Sequence, residues 1–222
     1  MGVLLTTTLA FADTTDWSLG LGGLYTSGGG VGSVLTGSNI PTVTITGDGT
    51  PVDNGDSLVI VDGFLNFTSG AYDGNGSNWS WGPGGVLTIS GCIAGVTATV
   101  CTGSNNVALL SDDFQSVQIE PVLGSLDVVF GNITGTLNAQ VAAFFGVPTT
   151  FSVASFTTAI DTSGTPGSSL RGSNILGMIK ADPPASMPEQ WGTFELIGFL
   201  VFALLTFSAL VRFRVLRPVL AR

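Results

Sequence analysis

The chain has 222 residues, enough for one ordinary domain or at most two. It carries 6 basic and 15 acidic side chains, a formal net charge of −9, no histidine and only 9% charged residues. That composition excludes imidazole catalysis and His-ligated metal and argues against a nucleic-acid surface. With 44% hydrophobic residues it also argues against a wholly disordered chain.

The chain opens MGVLLTTTLAFADTTDW. Residues 3–11 form a short apolar run, and Ala10-Phe11-Ala12 before Asp13 has the small-x-small form of a signal-peptidase site. Residues 1–12 therefore read as the remnant of an export signal; the alternative is a first β-strand.

Residues 20–38 are rich in Gly and Ser and read as a loop. Beyond them, short β-favouring runs recur at 42–46 (TVTIT), 57–61 (SLVIV), 64–68 (FLNFT), 86–90 (VLTIS) and 96–100 (VTATV). Others follow at 114–120 (FQSVQIE), 126–130 (LDVVF), 150–156 (TFSVASF) and 175–180 (ILGMIK). Several alternate apolar and polar with period two, the mark of strands with one buried face. Between them stand turn formers such as Gly47-Asp48-Gly49, Asp53-Asn54-Gly55 and Gly82-Pro83-Gly84-Gly85. Residues 138–145 (NAQVAAFF) predict one short helix, and 164–173 read as flexible. The fold class is all-β. Many short strands with regular turns predict an antiparallel sandwich or jelly roll over 13–181.

Cys92 and Cys101 are the two cysteines, and an even count in an exported chain predicts a disulfide. Trp79 and Trp81, two apart, would share one face of a strand. If exposed they offer a stacking platform for a glycan; the alternative is that they cap the core. Asp73, Asn75 and Ser77 alternate oxygen ligands like the start of a calcium loop, although ordinary turn chemistry also explains them. No nucleophile motif is present. Asp112-Asp113 or Glu120 are the carboxylates a glycosidase would need, but neighbours on a strand point to opposite faces. The chain is therefore expected to be non-enzymatic and without a cofactor.

The C-terminal forty residues are an address. A Pro-rich stretch at 182–192 reads as a stalk. Residues 193–211 (TFELIGFLVFALLTFSALV) carry one charge, and nineteen helical residues span roughly 28 Å, close to bilayer thickness. Arg212, Arg214 and Arg217 then mark the cytoplasmic side of a single membrane span with a tail at 212–222.

Pro188-Glu189-Gln190, an apolar helix and an Arg-rich tail, in that order, resemble the PEP-CTERM sorting signal of bacterial exported proteins. That family has Pro where Gln190 stands here. The resemblance implies a membrane, an exosortase-type sorting enzyme acting near Pro188-Glu189, and an exopolysaccharide-rich surface as the surroundings. The expectation is an exported surface protein, anchored or sorted, with a structural or adhesive role; a carbohydrate- or calcium-binding module is the alternative.

Overall fold

The computed structural model describes residues 14–74, 78–122, 125–131, 133–161 and 165–182. The expected export signal, the sorting motif Pro188-Glu189-Gln190, the apolar run 193–211 and Arg212, Arg214 and Arg217 lie outside the described residues. Among the described residues, no helix is long and apolar enough to cross a membrane.

The described chain is all-β with one short helix. Its strands are β1 (Thr14–Leu19), β2 (Gly22–Ser27), β3 (Val34–Asp48), β4 (Ser57–Val59), β5 (Val61–Ala71), β6 (Trp79–Trp81) and β7 (Gly85–Cys92). After these come β8 (Val107–Phe114), β9 (Ser116–Val122), β10 (Ser125–Gly131) and β11 (Ile133–Leu137). Helix α1 (Ala139–Phe145) precedes β12 (Thr150–Asp161) and β13 (Leu170–Asp182).

Five pairs of consecutive strands are halves of one longer strand. β1 and β2 both lie between β13 and β3, and β4 and β5 both pair with β3. β8 and β9 face β11 and β10 in a single register, from Leu110–Leu137 to Val122–Ser125. β6 continues β7 across Gly82-Pro83-Gly84. Thirteen strands less these five joins leave eight strand positions. Each is antiparallel to the next, and the last, β13, returns to pair with the first, β1. The sheet is therefore a closed up-and-down barrel rather than a sandwich or jelly roll. Closure removes the unpaired edges that two separate sheets would expose.

The ladder is staggered, as closure requires. Successive partners run Thr26, Thr36, Thr68, Val86, Asp113, Thr134, Ser152 and Asp182. The next pair, Ala181–Thr15, brings the path back to the first strand about a dozen residues from its start, a stagger of the size expected for an eight-stranded barrel.

Period-two alternation puts most large apolar side chains inside and leaves hydroxyls outside, with scattered apolar residues such as Phe64, Val86 and Leu176 among them. In β5, Gly63, Leu65, Phe67 and Ser69 are buried while Asn66 and Thr68 are exposed. This polarity is the reverse of an outer-membrane barrel, whose apolar face is outward. Aromatic rings fill the centre. Tyr25 packs on Phe67, Phe67 meets Phe130 edge-on at 4.9 Å, and Phe130 stacks on Phe156 at 4.1 Å. The rings need room on the wall: Gly37 lies directly under the Phe67 ring and Gly85 under Phe114, where any Cβ would collide.

Helix α1 forms as the sequence predicts. The Asn138 side chain caps it by accepting from Gln140 N at 3.0 Å, and Gly146, at φ 70°, ends it. It buries Val141, Ala142 and Phe145, and Phe145 packs over Gly47.

Five local expectations need correction, and the first is the run 57–61, which breaks at Ile60 between β4 and β5. Residues 20–38 hold β2 and the start of β3, because Tyr25 and Leu35 supply buried anchors between the glycines. Residues 96–100 are turns and bends rather than a strand. They are held in the loop closed by Cys92 and Cys101, where Val96 N and Thr97 N donate back to Ile93 O. The run 114–120 is broken at Gln115, between β8 and β9. Of 164–173, residues from Leu170 onward are strand.

Candidate functional site

Cys92 ends β7, and Cys101 returns to it with 5.6 Å between Cα atoms, forming the disulfide. Thr97 stabilises the loop from within, its Oγ1 accepting from Ile93 N at 2.9 Å.

Trp79 and Trp81 share one face of β6, as their spacing predicts, but that face is inward. They are 4% and 1% exposed, and Trp81 packs on Tyr72 with ring centroids 5.7 Å apart. They are core residues, so the exposed glycan platform is not formed. The β6–β9 pairing dictates this: Trp79 and Trp81 stand opposite Ile119 and Val117, both buried. Neither indole N–H has an acceptor.

Asp73 lies just past β5, its backbone N–H donating to Ser80 O at 3.1 Å. Asn75 and Ser77 lie outside the described residues. Among the described residues, no three His, Cys, Asp or Glu side chains group closely enough to hold a metal ion.

Among the described residues, Asp112 is a chemically unusual acid. It sits mid-way along β8 with its side chain inward, 4% exposed, in the row of Leu110 and Phe114. Across the ladder stands Gly135, and the carboxyl lies over that glycine where any side chain would collide with it. Neither carboxyl oxygen has a hydrogen-bond partner. Burial, and secondarily the charge of Asp113, push its pKa up to about 8, so it is mostly neutral at pH 7. Asp113 and Glu120 are exposed on the outer face. The sheet thus separates Asp112 from Asp113, and the two cannot flank one bond as a glycosidase pair must. Outside this wall, Ser111, Asp113, Thr134, Thr136 and Thr150 border a shallow cleft of about 530 Å³. Similar clefts lie along the same outer belt, one of about 400 Å³ bordered by Thr36, Ser38, Asn66 and Thr88. What these clefts offer a ligand is hydroxyl and amide hydrogen bonding, with the Asp113 carboxylate at the edge of the first.

A second buried polar group has no signature in the sequence. Tyr25 OH donates to Thr158 Oγ1 at 3.2 Å, Thr158 bonds Asn174, and Asn174 Nδ2 donates to Gly20 O at 2.6 Å. Burial drives the Tyr25 phenol above its ordinary pKa, so it remains a neutral donor. The three side chains come from β2, β12 and β13 and pin the seam where the barrel closes. Only pairing across 133 residues brings Tyr25 and Thr158 together, which is why sequence reasoning misses them.

No family model, no curated protein and no solved structure matches this chain.

Proposed function

We propose that this chain is an exported surface protein in which the barrel is a non-catalytic module outside the cytoplasm. The 182–192 stalk and the apolar 193–211 run hold it at the membrane, with Arg212, Arg214 and Arg217 inside. The observation that carries this reading is the Cys92–Cys101 disulfide in a barrel that leaves no described cysteine free, because such bonds persist in oxidising compartments. The outer wall, rich in hydroxyls and net acidic, supports a structural or adhesive role within a hydrated matrix. The resemblance at Pro188-Glu189-Gln190 supports handling by an exosortase-type enzyme.

The test is expression in a Gram-negative host carrying an exosortase, followed by fractionation and intact mass. Loss of the chain beyond the Pro188-Glu189 region supports sorting. A full-length chain in the inner-membrane fraction leaves a plain anchor and removes the sorting step. Recovery of the folded chain in the cytoplasm overturns the reading.

A further inference from the structure

The outer wall carries two adjacent rows of side chains that the ladder sets side by side. One row runs Thr36–Thr68–Val86–Asp113–Thr134, each paired with the next across neighbouring strands. The other runs Asn66–Thr88–Ser111–Thr136–Thr150 in the same way. Both rows face out, because the residues between them, Phe67, Leu87 and Asp112 among them, are buried. The clefts of about 530 Å³ and about 400 Å³ lie on these rows and adjoin at the Val86–Asp113 and Thr88–Ser111 pairs. Thr36 also borders a third cleft beside Thr26 and Val34, so the band continues past β3.

Thr68, Thr88, Ser111, Thr134, Thr136 and Thr150 make no side-chain hydrogen bond among the described residues. Their hydroxyls can therefore both donate to and accept from a ligand. Val86, 54% exposed, stands among them as an apolar contact. Of the residues in the two rows only Asp113 is charged, and the chain's net charge of −9 disfavours an anionic partner. Such a surface suits a neutral molecule bearing many hydroxyls. The spacing narrows this further. Neighbouring strands are about 4.8 Å apart, and the rows stand two residues apart along each strand, roughly 7 Å. The first distance is close to the advance of one pyranose ring along an extended polysaccharide, and the second to the breadth of that ring with its hydroxyls. From Thr36 to Thr134 there are four strand steps, about 19 Å, enough for several sugar units in a row.

We propose that this band binds an extended, uncharged polysaccharide laid across the strands, one sugar to a strand. The hydroxyls of the two rows and the Asp113 carboxylate bond the sugar hydroxyls, and Val86 meets the C–H face of a ring. Each exchange of water for sugar gains little, so binding depends on several sugars engaged together. This binding presupposes the barrel's role as an adhesive surface module and names what it adheres to. Its failure would leave export and anchoring standing, because cell fractionation tests those and a purified chain tests the band.

The full chain, purified in a detergent without a sugar headgroup, is sedimented with microcrystalline cellulose, an extended neutral glucan. Retention is expected, displaced by cellohexaose and unchanged from low salt to about 1 M, where ionic attachment is screened. Thr68→Ala, Thr88→Ala and Thr136→Ala combined are expected to reduce retention about tenfold or more, with a urea midpoint close to wild type. Thr44→Ala with Thr99→Ala, which removes two hydroxyls off the band, should leave retention unchanged. If the triple variant does not fold, Thr136→Arg alone, at an exposed position, takes its place and should block retention. No retention on cellulose, retention that salt removes, or equal retention by band and control variants would each overturn the proposal.

Discussion

Ala181, one residue before the end of β13, pairs with Thr15, one residue after the start of β1. The first and last strands are thus neighbours, and the ends of the barrel sequence leave it side by side. The described sheet is therefore closed there and presents no free edge strand at that seam. Closure matters because an unpaired edge is a template for association with other chains.

The seam depends on the Tyr25–Thr158–Asn174 group as well as on the ladder. Asn174→Ala leaves Thr158 and Gly20 O short of partners and is expected to cost about 2–3 kcal/mol. Tyr25→Phe removes one donor and is expected to cost about 1 kcal/mol. Urea denaturation midpoints measure both, and equal, negligible losses would show that the network contributes nothing.

Replacing Cys92 and Cys101 together by Ser opens a loop of about ten residues and is expected to cost about 2–3 kcal/mol. The barrel should still fold, since the loop lies past the end of β7. Far-ultraviolet circular dichroism with a urea titration, with and without reductant, checks this.

Gly85→Ala puts a methyl group against the Phe114 ring and is expected to destabilise by about 1–3 kcal/mol. Phe114→Leu should absorb part of that loss, so the double variant is expected to be less destabilised than the two singles summed. Strict additivity would show that the two positions do not meet.

Trp81→Ala empties a fully buried site and is expected to cost about 3–5 kcal/mol. Its effect should appear in thermal stability rather than in retention on an immobilised glucan. Loss of retention without loss of stability would return Trp81 to the surface.

Much of the barrel was legible strand by strand. Period-two runs at 64–68, 86–90 and 126–130 became β5, β7 and β10, and NAQVAAFF became α1 with Asn138 as its cap. What local pattern cannot carry is the long-range pairing. Nothing in residues 175–180 says that they return to 15–19, and that pairing alone separates a barrel from a sandwich. The glycines misled in one place: Gly22, Gly23, Gly29 and Gly30 made 20–38 read as a loop, although Leu24 to Ser27 pair with Leu35 to Ser38. Trp79 and Trp81 fell on one face as their spacing required, but which face is buried follows from the β9 partners and not from the spacing. For Asp112 the alternation was readable, since Leu110 and Phe114 share its face. Its lack of a partner was not, because that depends on Gly135 across the ladder.

The most direct test of the central claim, that this barrel folds outside the cytoplasm, is the redox state of Cys92 and Cys101 in intact cells. Thiols are blocked with an alkylating agent at lysis, and the chain is purified and weighed before and after reduction. The account predicts a single species that takes up no label until it is reduced and then takes up two, found in the envelope or released fraction. A chain carrying both labels before reduction would place the barrel in a reducing compartment and contradict the account.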